Sequence, residues 1–189
     1  MSMVAKVVTR NIEALKNSDQ SFETIFRIIR ESFTSELFAE YLNNGKICKV
    51  TYFEFCKRVD LFAAAFLKKY GAPEDGKARL AGIYLENSVD WVAIFWGLLR
   101  SGFKPVLLNT RHSLAITNDI IGELKPEFVI SLDKRVNGAI RPEAIIEGQP
   151  EYSAPEKDYW EDEVILVTSG STSKPKIISH SGSTICKQV

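Results

Sequence analysis

Residues 167–176 have the side chains of a loop that could wrap an anion. They read VTSGSTSKPK and include five hydroxyl side chains, one glycine and two lysines. Hydroxyls and free backbone N–H groups donate hydrogen bonds to an anion, lysines supply positive charge, and glycine allows the backbone to come close. The candidate binding residues are Thr168, Ser169, Gly170, Ser171, Thr172, Ser173, Lys174 and Lys176.

Other interpretations of this loop depend on what surrounds it. A phosphate-binding P-loop needs Gly-Lys-Ser/Thr leading into a helix, whereas Pro175 and an extended run follow here. A dinucleotide-binding turn needs a second glycine near Gly170 in a set pattern, and that glycine is missing. A solvated surface turn has the same composition and stays open on composition alone. Because apolar runs flank the loop, we expect a turn between strands at 163–167 and 177–178.

Helical and strand patterns alternate upstream of the loop. Helices are predicted over 21–33, 51–70, 89–100 and 113–124, and buried strands over 80–85, 104–108 and 127–132. This alternation is typical of an α/β fold with a mostly parallel sheet flanked by helices. Alternating residues on both sides of the Asn-Asn-Gly at 43–45 predict an extra β-hairpin.

Two stretches are expected to differ from this core. Residues 1–20 are predicted to form a helical extension, which leaves 21–189 as part of a larger domain. Residues 134–162 are rich in proline and charge, so they are expected to be mostly irregular, with a short strand at 144–146.

Composition limits the kind of partner. Of 189 residues 45% are hydrophobic, and 24 basic residues balance 24 acidic ones, which argues against nucleic acid or an anionic membrane as main partner. The longest uncharged apolar run, residues 91–99, is far shorter than the roughly 20 residues of a membrane-spanning helix. Cys48, Cys56 and Cys186 show no pairing pattern and no zinc-ligand spacing to a histidine. We therefore expect reduced thiols in a cytoplasmic protein and no metal site.

The remaining candidates predict structure rather than chemistry. The aromatic cluster at 91–96 has helical spacing and is expected in the core. Asp60, Asp90 and Asp133 form no close pair in the sequence, so it predicts no paired-carboxylate chemistry. His180 is expected to be structural.

Four stretches occur in the order and spacing of one known family. They are VTY at 50–52 opening a helix, IYLENSVDW at 83–91, the strand region 102–110, and the loop at 168–176. Together they resemble the adenylate-forming (AMP-binding) superfamily, which includes acyl-CoA synthetases, peptide-synthetase adenylation domains and luciferases. The resemblance covers roughly residues 35–182. Ser173 and Ile177 depart from it, because the family usually has glycine at the first position and often at the second.

The resemblance implies a reaction that uses ATP with Mg²⁺. A substrate carboxylate attacks the α-phosphate, pyrophosphate leaves, and the acyl group passes from AMP to a thiol, commonly coenzyme A. It further implies that Lys176, aimed by Pro175, helps to hold the β- and γ-phosphates, while no catalytic residue is carried over to this chain. The sequence LLNTR at 107–111 favours acyl-CoA synthetases over amino-acid adenylation domains. We therefore expect the N-terminal portion of an acid–CoA ligase, inactive alone because family members run to several hundred residues.

Two hypotheses from other classes stay open. The chain could be a non-catalytic domain that binds a nucleotide or a partner subunit, or a degenerate remnant that folds without binding a ligand. In a complete enzyme the expected partners are a small carboxylic acid and ATP. A partial α/β unit is also expected to self-associate or to bind a subunit that covers its exposed apolar face.

Overall fold

The computed structural model describes residues 3–43, 45–74, 77–151, 153–168 and 176–187, with side chains from residue 10 onward except at residue 43. The helices within these ranges are α1 (Met3–Lys16), α2 (Phe22–Ser32), α3 (Tyr52–Tyr70), α4 (Val89–Arg100), α5 (Leu114–Leu124), α6 (Pro142–Ile146) and α7 (Gly182–Cys186). The strands are β1 (Leu37–Asn43), β2 (Lys46–Thr51), β3 (Arg79–Tyr84), β4 (Phe103–Leu107), β5 (Phe128–Ser131), β6 (Ala139–Ile140), β7 (Glu163–Thr168) and β8 (Lys176–Ser181).

The main sheet has six strands in the order β6-β5-β3-β4-β7-β8. Neighbouring strands are parallel except for β7 and β8, which are antiparallel. All four residues of β5 are buried, which is typical of a strand covered on both faces. The predicted α/β fold with a mostly parallel sheet is confirmed.

A hydrophobic core lies on each face of this sheet. On one face, α3 and α4 pack against β3 and β4 through a group of fully buried side chains that includes Phe62, Phe66 and Leu98. On the other face, Ile120 and Ile121 of α5 pack against inward residues of β4, β5 and β7. The two layers cover the sheet on both faces and fix where the carboxyl ends of its strands emerge.

The predicted hairpin is confirmed as β1 and β2, which pair antiparallel. Gly45 in its turn has φ of 76°, a conformation that favours glycine. The hairpin leads directly into α3, where the Thr51 hydroxyl accepts a hydrogen bond from the Glu54 N–H and the Glu54 carboxylate accepts one from the Thr51 N–H. This capping box fixes the point at which strand becomes helix.

The predicted short strand at 144–146 is wrong, because these residues belong to helix α6. Pro142 occupies the first turn of α6, where proline has no hydrogen bond to lose and its fixed φ suits a helix. Ile145 is buried against the core. A three-residue apolar run fits a buried helical turn as well as a strand. The short strand in this region is instead β6, which pairs with β5.

Helix α1 packs on α2 through apolar and polar contacts. The Ser32 hydroxyl donates a hydrogen bond to the Asn11 side-chain oxygen at 2.9 Å. Ile12 and Leu15 line a shallow apolar groove together with Ile25 and other residues of α2. Over the ranges that the structure describes, none of the helices combines the length and the apolar character needed to cross a membrane.

Helices α3 and α4 come close together at Gly97. A Cβ atom at this position would lie 2.8 Å from the Cβ of Phe62 and 3.3 Å from the backbone nitrogen of Ala63. Atoms at 2.8 Å overlap, so only glycine allows this approach without a shift of the helices. The distance between α3 and α4 is therefore fixed by a residue that has no side chain.

Asp60 of α3 joins three parts of the fold through ion pairs. Its carboxylate accepts hydrogen bonds from Arg30 of α2 and from Arg100 at the end of α4. The Arg100 side chain is 8% exposed, and its Nε also donates to Asp158 at 2.7 Å. This network, which we call the Asp60 network (Arg30, Asp60, Arg100 and Asp158), ties the helical layer to the segment that leads into β7.

Candidate functional site

Strands β7 and β8 hold the two ends of the hydroxyl-rich loop. Six residue pairs connect them, and the last pair joins Thr168 to Lys176. Both residues are exposed, so their side chains are accessible at the end of the ladder. The expected strands on both sides of the loop are confirmed, and they pair antiparallel.

Two of the eight predicted binding residues, Thr168 and Lys176, are therefore brought side by side. The other six predicted residues lie outside the described part of the chain: Ser169, Gly170, Ser171, Thr172, Ser173 and Lys174.

The loop emerges at the carboxyl edge of the parallel sheet. Strand β4 lies beside β7, with Leu107 opposite Leu166. Two residues further along the sequence from that pair lie Asn109, just after β4, and Thr168, the last residue of β7. In open α/β sheets, ligands bind outside the carboxyl ends of the strands. The loop is thus at the edge of the fold where such a sheet usually carries its site.

The chain that follows β4 makes a tight turn at this same edge. The Asn109 side-chain oxygen accepts a hydrogen bond from the backbone N–H of Arg111 at 2.9 Å, and its carbonyl accepts one from the N–H of His112 at 3.1 Å. The Ser113 hydroxyl then caps α5 by accepting from the Ile116 N–H. His112 Nδ1 is buried and lacks a hydrogen-bond partner within the described ranges. The sequence sets His112 aside only as a zinc ligand, because of its spacing from the cysteines, and no local pattern indicates that it is buried.

A cleft of about 360 Å³ opens along the same edge between the ends of β3 and β5. Strand β3 connects to β4 on one side, and β5 connects to β6 on the other, so the connections diverge at this point. Such a divergence leaves a crevice in doubly wound sheets. Tyr84 and Ser131 lie at its base, and the Tyr84 hydroxyl donates to the Thr110 carbonyl at 3.4 Å.

The cleft is rich in carboxylates. Its lining includes Glu86, Asp90, Asp133 and Glu143. Hydrogen bonds from the Arg135 side chain and backbone lower the pKa of Asp133 to about 2, so this carboxylate is charged at neutral pH. Asp90, Asp133 and Glu143 each pair with an arginine, but among the described residues the cleft lining itself contains no lysine or arginine that could bind an anion. The loop with its two lysines is therefore the better place for an anion at this edge.

The opposite end of the β7–β8 ladder is held by a polar contact between three strands. The Glu163 carboxylate of β7 accepts a hydrogen bond from Lys104 of β4 and one from the Ser179 hydroxyl of β8 at 3.2 Å. The hydrogen bond and charge of Lys104 lower the pKa of Glu163. This contact fixes β8 to the sheet from the side away from the loop.

The lowered pKa of Glu163 predicts a pH-dependent contribution to stability. Because the folded pKa lies below the unfolded value of about 4.3, the contribution is present above that value and is lost as pH falls through the folded pKa. The wild type should lose this contribution as pH falls from about 5 to about 3, and we expect a smaller loss over that range in Lys104→Met. Urea midpoints of wild type and variant at several pH values measure it. Ser179→Ala should leave most of the effect, and identical pH profiles for wild type and Lys104→Met would contradict the assignment.

His180 and the aromatic cluster at 91–96 both lie away from the loop. His180 pairs with Val164 at the far end of the ladder, four residues along β8 from Lys176, or about 14 Å. The aromatic cluster at 91–96 packs in the core, where Trp96 is buried and contacts Phe22 edge to face. Neither group lies next to the loop.

Comparison with known families gives a match over most of the chain. Residues 36–189 match the family described as AMP-binding enzyme. The match begins at the hairpin and includes the loop between β7 and β8, while α1 and α2 lie before it.

Two curated fungal proteins are similar to the chain over much of its length. It is 31% identical over 142 residues to the PKS-NRPS hybrid synthetase psoA of Aspergillus fumigatus, which covers 67% of this chain and 3% of that protein. It is 27% identical over 157 residues to the hybrid PKS-NRPS synthetase prlS of a fungal species (strain NRRL 50135), covering 74% of this chain and 4% of that protein. The chain therefore spans a few per cent of the length of these relatives.

Solved structures share the fold at low sequence identity. The N-terminal subdomain of Klebsiella oxytoca NpsA superposes with a TM-score of 0.72 at 19% identity, over 88% of this chain and 43% of that one. An artificially fused adenylation-PCP di-domain, NpsA-ThdA, gives 0.74 at 20% identity over 88% and 34%. O-succinylbenzoate coenzyme A synthetase (MenE) of Bacillus subtilis, in complex with AMP, gives 0.65 at 19% identity over 82% and 41%. These likenesses establish the architecture of the sheet and its helices.

Proposed function

Because this chain belongs to the family of AMP-binding enzymes, we propose that residues 168–176 hold the β- and γ-phosphates of ATP while a carboxylic acid is adenylated. The observation that carries this proposal is the pairing of Thr168 with Lys176, which holds a hydroxyl and an ammonium group side by side at the carboxyl edge of the sheet. The proposed phosphate-binding set remains the eight residues predicted from the sequence.

The proposed reaction has two steps. A carboxylate oxygen attacks the α-phosphorus of ATP, the bond to the bridging oxygen of the β-phosphate breaks, and pyrophosphate leaves with the electron pair. A thiol then gives up its proton to solvent and attacks the carbonyl carbon of the acyl adenylate. The bond from that carbon to the phosphate oxygen breaks, AMP leaves with the electron pair, and a thioester forms. Negative charge builds up on the departing pyrophosphate in the first step, so groups that stabilise that charge accelerate it.

Lys176 is the described residue best suited to that task. Its side chain ends in an amine that donates hydrogen bonds, and the residue is exposed at the end of the ladder. Hydroxyl and backbone N–H donors of the loop would complete a cradle of hydrogen bonds. The residues of this chain thus bind and orient the leaving group.

Mg²⁺ bound to the phosphates would neutralise part of their charge. Within the part of the chain that the structure describes, no group of three or more His, Cys, Asp or Glu side chains could hold a metal ion. We therefore assign no step to a metal held by these residues.

Calorimetric titration of the purified chain with ATP and Mg²⁺ tests the phosphate site. We expect Lys176→Ala to weaken binding by about tenfold or more, since a charge-assisted hydrogen bond contributes roughly 1.5–3 kcal/mol. Lys46→Ala provides a matched control, because it removes an exposed lysine at the turn of the hairpin. Its affinity should equal that of the wild type. An affinity that Lys176→Ala leaves unchanged would overturn the phosphate site.

Two acceptor thiols are candidates for the second step. Coenzyme A is favoured by LLNTR at 107–111. A carrier domain is favoured by the two curated relatives, which are PKS-NRPS synthetases, and by the fused adenylation-PCP structure. We propose the carrier domain as the first candidate. The two PKS-NRPS synthetases are 27% and 31% identical to this chain, whereas the coenzyme A synthetase MenE is 19% identical. Thioester formation with each acceptor in turn, in a preparation that makes the acyl adenylate, separates them.

A non-catalytic role for the same fold is the second candidate function. It is favoured by Ser173, which stands where the family usually has glycine and which has fewer accessible backbone conformations than glycine. Exchange of labelled pyrophosphate into ATP, in the presence of a carboxylic acid, distinguishes an adenylating unit from one that only binds.

We also propose the organisation of the chain and its location. Residues 1–20 form an extension before the domain part at 21–189, since α1 and α2 are separated by Gln20 in a left-handed conformation with φ of 58°. The three free cysteines fit the reducing environment of the cytoplasm.

A further inference from the structure

The β1–β2 hairpin has one face against the protein and one face towards solvent. On the inner face, Phe38 stacks on Phe55 with ring centroids 4.0 Å apart, and Val50 packs against the same core. A register shift between Leu37 and Ala39 places two residues of β1 opposite Val50, which turns Phe38 inward. Beyond this bulge, alternate residues of both strands point outward.

The outer face carries three cross-strand rows. From the tip to the base, the rows are Leu42 with Ile47, Glu40 with Lys49, and Leu37 with Thr51. Leu42 is 74% exposed, Ile47 65% and Leu37 49%. The charged row thus lies in the middle, with an apolar side chain in the row on either side.

The charged row is itself accessible. Lys49 Nζ lies 3.3 Å from a Glu40 carboxylate oxygen, and both side chains are about half exposed or more. Such a surface pair is worth little within one chain, because water competes for both charges. Both groups can therefore turn to a partner that offers the opposite charge.

We propose that the outer face of the hairpin binds the same face of a second copy of this chain around a two-fold axis. In a two-fold contact the same patch meets itself in reverse. With the axis parallel to the strands, Glu40 would meet Lys49 of the other copy, and each row would meet the same row of that copy. A second copy always brings the complementary charge at the right place, whereas an unrelated partner would need a separate pair of its own.

The hairpin also gains most from such a partner. An isolated two-stranded sheet is marginally stable in water, and it needs a covered hydrophobic face. Its inner face has that cover, while Leu42 and Ile47 are the most exposed large hydrophobic residues among those whose side chains the structure describes. Because the face is small, the contact should be weak and dependent on protein concentration.

Charge reversal tests this contact without changing its apolar residues. Glu40→Lys makes the middle row wholly basic, and Lys49→Glu makes it wholly acidic. Each variant alone should associate at least about tenfold more weakly than the wild type, because like charges meet across the axis. An equimolar mixture of the two should regain association, since a basic row then meets an acidic one. The double variant should also associate like the wild type.

Sedimentation equilibrium over a concentration series measures these outcomes, starting from a monomer of 21.3 kDa. Glu123→Lys on α5 is the matched control, and it should leave association unchanged. Circular dichroism checks that each variant is folded. Regained association in the mixture also shows that both variants are folded, because unfolded chains would not form the contact. A wild type that stays monomeric, single variants that associate like the wild type, or a mixture that stays monomeric would each overturn the proposal. None of these readouts depends on ATP, so they stand apart from the phosphate site.

Discussion

Asp60→Ala is expected to lower the free energy of unfolding by about 3 kcal/mol. The substitution leaves Arg100 with Asp158 alone and removes the link between α2, α3 and α4. Breaking a buried ion pair by removing one partner costs about 3–5 kcal/mol, because the other charge stays buried without compensation. The lower end applies here, since Asp158 remains. Urea denaturation, analysed by linear extrapolation, measures the loss.

Asp90→Ala is the matched control for this prediction. Asp90 also pairs with an arginine of α3, Arg58, but the two side chains are 38% and 45% exposed. Exposed pairs contribute up to about 1 kcal/mol. If both variants lost the same stability, the burial of Arg100 would not be the cause of the larger effect.

Gly97→Ala is expected to destabilise the protein by about 2–3 kcal/mol, against the usual preference of helices for alanine. The added Cβ would overlap the Cβ of Phe62 at 2.8 Å, and neither atom is at the end of a flexible side chain. Helices α3 and α4 would have to separate, which loosens the layer over β3 and β4. Thermal or urea unfolding measures the change.

Gly122→Ala gives the opposite sign in the same experiment. Gly122 lies within α5, and a Cβ there would meet nothing within 4 Å. We expect a gain of about 0.5–1 kcal/mol, because alanine loses less backbone entropy than glycine in a helix. A loss at Gly122 similar to that at Gly97 would contradict the steric explanation, since only Gly97 has a close neighbour.

Features that act over a few residues could be predicted from the sequence. The capping box needs only Thr51 and Glu54, and the hairpin needs only alternation on both sides of Gly45. Both signals are complete within the stretch that forms the element. Helix α6 was missed because the three apolar residues at 144–146 carry no period of their own, and their burial decides their structure.

Features that depend on distant residues could not be predicted. In the structure, Asp60, Asp90 and Asp133 each pair with an arginine. The partners of Asp60 lie 30 and 40 positions away in the chain, so no local pattern marks the pairs. Sequence predicted the loop between two strands, but it did not predict the strand beside it. That β4 rather than β5 lies next to β7 follows from strand order, which is a property of the whole sheet.

The pairing of Thr168 with Lys176 also changes the thermodynamics of ordering the loop. The seven residues at 169–175 have their ends joined by the β7–β8 ladder. Bringing together the ends of a free segment of this length costs about 2 kcal/mol in chain entropy. The β7–β8 pairing brings the two ends together when the protein folds. The free energy of ligand binding therefore does not include this entropy cost. Substitutions that weaken the ladder far from any ligand should therefore reduce affinity through entropy, with every contacting side chain intact.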